Sequence, residues 1–301
     1  MHRIGGSPLL SVGHEEVRQQ QAGKRSADGL ARLDLQRANP ARMYDYYLGG
    51  AHNLAVDRAT ADRALAASPE IRTFAHENRA FLNRVVRYLV RDAGITQFLD
   101  LGSGIPTVGN VHEIAQNSNG DAKVVYVDHE PVAIGATRRL LAGNPNATII
   151  NADLRYPHDV LSHPETKRLL DFTRPVAVLM VSVLAFVPDA DDPNGIVAAY
   201  RTACAPGSYL ALSHGLTIDY WSYGTEHAIE LYASTTHPLH PRRPEQVAAL
   251  FAGYRMVEPG LVITSVWRPE RPSSDQVHIT RHSVAGLGRL PDPAPDGAGP
   301  R

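Results

Sequence analysis

QFLDLGSGIPTVGNVHE, residues 97–113, decides how this chain is to be read. A short apolar run ends in Asp100-Leu101. Gly102-Ser103-Gly104 follows, with two residues lacking a Cβ, so the backbone can turn tightly and a ligand can come close to it. The expected local structure is a buried strand over 97–102, a glycine turn, and a helix from about Thr107. Gly109 then falls just inside that helix, where glycine costs about 1 kcal/mol relative to alanine. Close packing or a nearby ligand is the expected reason for it.

Outward from this stretch the same alternation repeats. KVVYVD (123–128), ATIINAD (147–153), PVAVLMVSVL (175–184) and SYLALSHG (208–215) read as further buried strands, with weaker ones near 254–259 and 277–286. Between them lie helical patterns. Ile71, Phe74, Leu82, Val85 and Leu89 mark a helix to about Arg91, and Pro131 suits the first turn of another. A helix around 194–205 stops at Pro206-Gly207, a helical insertion occupies about 225–235, and a short helix follows Pro244. Strands apolar on both faces, separated by helices, form a mostly parallel sheet covered on both sides, here of seven strands. Such sheets bind ligands at the carboxyl ends of their strands.

The ligand edge carries specific chemistry. A dinucleotide loop would place a third glycine at position 107, but the residue is Thr107, and Pro106 removes a backbone N–H that a pyrophosphate would use. The loop therefore suits a ligand without a pyrophosphate. Asp128 ends the second strand, 24 residues after Gly104, where a carboxylate can accept hydrogen bonds from both hydroxyls of a ribose; capping the helix that begins at Pro131 is the alternative role. Asp153 ends the third strand and can accept the 6-amino group of adenine, or serve as a turn or cap residue. Together the two acids describe an adenosine site. By the same logic of strand ends, Asp100, His129, Ala152, Leu154 and Ser182 are candidate ligand contacts beside Gly102, Ser103 and Gly104.

Several stretches in order carry a family resemblance: PARMYDYYLGGAHNLAVDR (40–58), NRAFLNRVVRYL (78–89), the 97–113 loop, VVYVDHEPV (124–132), NADLR (151–155), FVPDADDP (186–193), APGSYLALSH (205–214) and VEPGLV (257–262). From about Asn39 to Pro269 the chain resembles a bacterial family of S-adenosylmethionine (SAM)-dependent methyltransferases first catalogued as a domain of unknown function. The resemblance implies a class I, Rossmann-like methyltransferase fold, SAM as cofactor and a final antiparallel strand, and it implies no particular acceptor. Ser103 and Ile105 stand where Thr and Leu are more usual in that family, and the match weakens beyond about residue 270.

The segment before the sheet is expected to be an N-terminal helical lid, residues 37–92, ahead of a methyltransferase domain at 93–290. Tyr44, Asp45, Tyr47, Gly49, Gly50 and Asn53 make a dense polar-aromatic motif. Tyr44 and Tyr47 can present ring faces to the sulfonium of SAM, an attraction of roughly 0.5–2 kcal/mol, or can simply pack the helix onto the sheet. Arg79 can pair with the methionine carboxylate as a forked donor, or can be a structural arginine.

Methyl transfer depends chiefly on holding the acceptor close and in line, so a base is optional. His214, at the end of the fifth strand, is the candidate catalytic base, with a hydrogen-bonded structural histidine as the alternative. Tyr220, Trp221 and Tyr223 are candidate walls of an acceptor pocket for a planar or apolar substrate, with ordinary packing as the alternative. His278 and His282 have four-residue spacing without a third ligand nearby, and no metal is expected.

Composition bounds the remaining choices. The chain has 301 residues, 43% hydrophobic and 20% charged, with a formal net charge of −1. That balance offers no general attraction to phosphate backbones, so no nucleic-acid partner is expected. Cys204 is the single cysteine, which excludes an internal disulfide. The longest apolar run, Val176 to Val187, falls short of a membrane span, and no secretory h-region opens the chain, so a cytoplasmic protein is expected. Residues 1–36 and 291–301 read as disordered ends. The expected function is methyl transfer from SAM to a small-molecule acceptor, the alternative being a module that binds SAM or adenosine without transfer.

Overall fold

The computed structural model describes residues 33–107, 109–217, 219, 225–269 and 281–292. They belong to one compact unit that starts at Leu33. Most of the expected disordered ends, together with Tyr220, Trp221, Tyr223 and His278, lies outside the described residues.

Five parallel strands form the centre: β1 (Gln97–Leu101), β2 (Lys123–Asp128), β3 (Ala147–Asn151), β4 (Ala177–Val181) and β5 (Tyr209–Gly215). Their order is β3-β2-β1-β4-β5, so the chain reverses direction across the sheet between β1 and β4. β8 (Ser283–Arg289) pairs antiparallel with β5. Two dipeptide strands, β6 (Arg255–Met256) and β7 (Val262–Ile263), both pair with β8 on its other side. The sheet thus has eight strands in seven positions. The outermost position is one edge strand interrupted at 257–261, where Pro259 and Gly260 disfavour continuous pairing. The last strand was expected over 277–286, but among the described residues it starts at Ser283.

Alternation within the strands builds the two faces. Leu99, Leu101, Val125, Val127, Val178 and Met180 point into one core layer. Phe98, Val124, Tyr126, Ala177 and Leu179 point into the other. The first layer is closed by α6 (Pro157–Ser162), α7 (Pro164–Leu169), α8 (Pro193–Ala203) and α10 (Pro244–Ala249). The second is closed by α3 (Glu70–Arg91), α4 (Val111–Ser118) and α5 (Pro131–Leu140). α8 begins with Pro193 at its first position, capped by the Asp192 side chain on the Gly195 N–H.

The expected helix after the glycine loop starts later than Thr107. Asn110 is the N-cap of α4, and the Glu113 carboxylate takes the N–H groups of Gly109 and Asn110. Gly109 is therefore a loop residue, and its φ of +75° is what requires glycine, with Asn83 packed closely against it.

A third cluster sits over the carboxyl ends of the strands. It joins α1 (Pro40–Tyr47), α2 (Ala55–Ala67), the start of α3, and α9 (Thr225–Ala233) through Met43, Tyr47, Ala61, Ile71, Ala75 and Leu231. α3 therefore belongs to both parts: its first turns build this cluster and its later turns cover the sheet. The motif between Asp45 and Asn53 builds the turn from α1 to α2. Asp45 takes the His52 N–H and the Asn53 amide at 2.8 Å each, and a Cβ on Gly50 would collide with its carboxylate. No helix among the described residues is long and apolar enough to cross a membrane.

Candidate functional site

A cavity opens at the carboxyl ends of β1, β2, β3 and β4, under the α1–α9 cluster. Gly102, Ser103 and Gly104 form its floor beside Asp100, and Asp128 and His129 line it from β2. Ala152, Asp153 and Leu154 line it from the loop after β3, which ends at Asn151 and not at Asp153 as expected, Ser182 from just after β4, and Tyr44, Tyr47 and Arg79 from the helical side. The residues expected to contact a cofactor therefore share one cavity. The polar residues of the α1–α2 turn do not enter it: Asp45, Gly49, Gly50 and Asn53 serve the turn itself.

The glycine loop is held from two sides. The backbone N–H groups of Gly102 and Ser103 donate to the Val127 carbonyl at 2.8 and 3.1 Å. Gly104 donates to Asp128 Oδ2 at 2.7 Å. Gly102 has φ +68°, and a Cβ there would strike Val183; Gly104 has φ +66° with open space where its Cβ would lie. Asp128 Oδ1 accepts from the His129 and Glu130 N–H groups at 2.8 and 2.9 Å. This side chain thus does the turn-capping work and also stands on the cavity wall.

Other groups differ in how far they are satisfied. Asp100 is buried, and burial pushes its carboxyl up to about 7, with Arg79 working against that rise and Asp128 adding to it. Arg79 donates to Asn110 Oδ1 at 3.1 Å, while its Nε is buried with no partner. Ser103 Oγ is likewise buried without a partner. Burial disfavours the charge on Asp153, yet Arg155, forked onto it at 2.7–3.1 Å, holds its carboxyl below the usual range. Ser182 has φ 59°, a strained value for a residue with a side chain, and its N–H reaches the Ser213 carbonyl at 3.1 Å.

His214 is placed differently from the expectation of a base at the ligand edge. It is fully buried and does not line the cavity. Nδ1 lies 2.7 Å from the Gly215 carbonyl and Nε2 lies 2.9 Å from Arg242 Nη1, so Nδ1 donates and Nε2 accepts. Burial depresses it to about 4. Arg242 also donates to the carbonyls of Leu184 and Val187, at 2.8 Å each, and so pins the turn after β4. His282 is committed to Glu70, with Nε2 at 2.8 Å.

Four features of the site lay beyond the sequence reading. Arg42, fully buried, pairs with Asp57 at 2.7 Å and with Glu130 at 2.9 Å, tying α1 to the turn that follows Asp128. Tyr232 of α9 and Phe186 of the turn after β4 line the cavity, and the Tyr232 hydroxyl lies 3.2 Å from that of Tyr47. His237 also lines it, with Nε2 at 3.0 Å from that of His129; burial, then His129, lower it to about 4. The α9 pattern held a signal for Tyr232, four residues after Ala228 on one helical face. His237 lies in a loop with no periodic signal.

A glycine loop, two acidic strand ends and a cavity roofed by aromatic helices define an α/β domain that takes an adenosine-type ligand. The S-adenosyl methyltransferase family profile matches residues 26–291, and the chain belongs to that family: it is a class I SAM-dependent methyltransferase. Among solved structures it is similar to a Thermobifida fusca YX protein inferred to be a methyltransferase, at 40% identity and a TM-score of 0.80, over 87% of this chain and 98% of that one. It is also similar to a DUF574-family protein of Streptomyces avermitilis MA-4680, at 35% identity and a TM-score of 0.82, over 86% and 100%. No curated protein matches the chain.

Proposed function

We propose that this enzyme transfers the methyl group of SAM to a small-molecule acceptor held in the cavity between the strand tips and the α1–α9 cluster. The observation that carries the reading is the pair of unpartnered buried groups, Arg79 Nε and Ser103 Oγ, in the same cavity as Asp100, Asp128 and Asp153. A buried donor without a partner costs about 1–3 kcal/mol, and a ligand carboxylate would satisfy both. The residues fit SAM. Arg79 and Ser103 would take the methionine carboxylate, and Asp100 its ammonium. Asp128 would take the ribose hydroxyls, and Asp153 the adenine amino group, with Gly102, Gly104, His129, Ala152, Leu154 and Ser182 as the surrounding wall. Tyr44 and Tyr47 would face the sulfonium.

Bound here, SAM would supply an electrophilic methyl to an acceptor lone pair, with S-adenosylhomocysteine as the leaving group and the acceptor's proton passing to bulk solvent. The chain's own contribution is alignment and exclusion of water. His214 is assigned a positioning role, because its two ring nitrogens are already engaged with Gly215 and Arg242. Calorimetry of SAM binding to wild type and to Arg79→Ala tests the reading. A loss of roughly 10- to 150-fold is expected from removing hydrogen bonds to a charged ligand. Unchanged affinity in the folded variant would move the carboxylate site elsewhere.

A further inference from the structure

With SAM placed at the strand tips, the rest of the cavity is left for the acceptor, and its chemistry is one-sided. From α1, α9, the first turns of α3 and the turn after β4 it is lined by apolar and aromatic side chains, among them Tyr44, Tyr47, Phe74, Phe186, Ile229 and Tyr232. None of these is ionised near neutral pH. The charged groups that line the cavity come from farther along α3, as Arg79, or from the ends of β1, β2 and β3 and the residues just after them. There Glu130 is paired with Arg42, and Asp153 with Arg155. Phe186 and Tyr232 stand 6.3 Å apart between ring centres, inclined at 34°, and form one aromatic wall.

The polar chemistry at this end is small and specific. The Tyr44 hydroxyl is committed, donating to the Ala75 carbonyl at 2.9 Å and accepting from Asn78 at 3.1 Å. The Tyr232 hydroxyl donates to the Tyr47 hydroxyl at 3.2 Å. Each carries a single hydrogen, so the Tyr47 hydrogen is left for a ligand atom. An ammonium or carboxylate brought here would lose its hydration without gaining an ionic partner, which is costly.

Resting on the reading that SAM occupies the strand tips, we propose that the acceptor is a neutral, flat aromatic molecule. It would be methylated on a hydroxyl oxygen or a ring nitrogen and held against Phe74, Phe186 and Tyr232 by a hydrogen bond from the Tyr47–Tyr232 pair. Neutrality is required by the ring of uncharged walls, flatness suits their aromatic faces, and the free tyrosine hydrogen selects a ligand with an accepting atom.

The test uses three probes with one ring system and three charges: 2-naphthol, 2-naphthoate and 2-naphthylmethylammonium. Each is titrated at pH 7.5 into the full chain saturated with S-adenosylhomocysteine, whose own binding is measured first. 2-Naphthol is expected to bind at least about tenfold more tightly than either ion. Tyr232→Phe removes the bond that turns the Tyr47 hydrogen toward the ligand, and it should weaken 2-naphthol binding about 3- to 10-fold, with S-adenosylhomocysteine affinity within about twofold of wild type. An ion that binds as tightly as 2-naphthol, or 2-naphthol that displaces S-adenosylhomocysteine, would overturn the acceptor assignment while leaving the SAM site standing. Failure of S-adenosylhomocysteine itself to bind would overturn the underlying reading and this inference with it. Ile229→Lys is the converse variant: it should bring 2-naphthoate into the site, and continued exclusion of naphthoate by that variant, folded and loaded, counts against the uncharged wall as the selector.

Discussion

Arg42 Nη1 lies 2.9 Å from Glu130 Oε1, with the arginine fully buried, and this ion pair fastens the roof of the cavity to the turn that carries Asp128. The same guanidinium donates through Nε to Asp57 at 2.7 Å and through Nη2 to the carbonyls of Asp34 and Arg37 at 3.0 Å. One side chain thereby holds α1, the start of α2, the segment before α1 and the β2–α5 turn in a single arrangement.

Breaking that arrangement should be expensive. Arg42→Ala leaves the carboxylates of Asp57 and Glu130 buried without their cation, and the expected destabilisation is about 3–5 kcal/mol. Arg42→Lys should recover only part of this, because one ammonium cannot reproduce the planar fork that reaches both acids and two carbonyls. Urea unfolding followed by circular dichroism checks both values. A loss below about 1 kcal/mol for the alanine variant would mean that the two acids find other partners.

Asp100 sets a pH dependence. Burial raises its carboxyl to about 7, so its contribution to folding is present below the ordinary carboxylate range and is lost as the pH rises through about 7. Binding a cationic group beside it favours the ionised form, so ligand binding should release a proton. SAM affinity is therefore expected to tighten by up to about tenfold per pH unit from about pH 5.5 to 7 and to level off above that. Asp100→Asn should remove the slope. Calorimetry in buffers of different ionisation enthalpy measures the proton directly, and an equal slope in the variant would assign it to another group.

His214 should behave as a structural histidine. Its folded value is depressed to about 4, chiefly by burial, so its contribution to stability is present above about 6.5 and is lost as the pH falls toward 4. His214→Gln should flatten stability across that acid window. It should also loosen the turn after β4, because one amide group cannot serve the Gly215 carbonyl and Arg242 together from the positions of the two ring nitrogens. Denaturant titrations between pH 4 and 7 show the effect; an imidazole that titrates near neutrality by NMR would return His214 to the list of candidate bases.

Some of this was legible in the sequence and some was not, for reasons that lie in particular residues. The 97–113 stretch was readable because a strand, a glycine turn and a helix are local events, and Asp128 inherits its place at the end of β2 from parallel pairing, with Asp153 two residues beyond the end of β3. His214 shows the limit of that logic. Its position at a strand end was correct, but Gly215 lines the cavity while the His214 ring turns back to Arg242, a residue 28 positions away. Gly109 was placed in a helix because the Asn110–Glu113 cap that delays the start of α4 depends on side-chain geometry. Arg42 was unreadable as an anchor because its partners, Asp57 and Glu130, are brought to it only by tertiary packing. The same is true of His237 beside His129.

Asp128 is proposed to stand at the hinge of the SAM site, and isothermal titration of SAM, S-adenosylhomocysteine and NAD into wild type and Asp128→Ala measures that role. Asp128 pins the Gly104 N–H at 2.7 Å, so the alanine variant loses the set of the glycine loop along with the proposed ribose contact. One-to-one binding of SAM and S-adenosylhomocysteine to wild type and no binding of NAD are expected, with a loss of roughly 10- to 150-fold in the variant. Equal affinity for NAD in wild type, or unchanged SAM affinity in a folded Asp128→Ala, would contradict it.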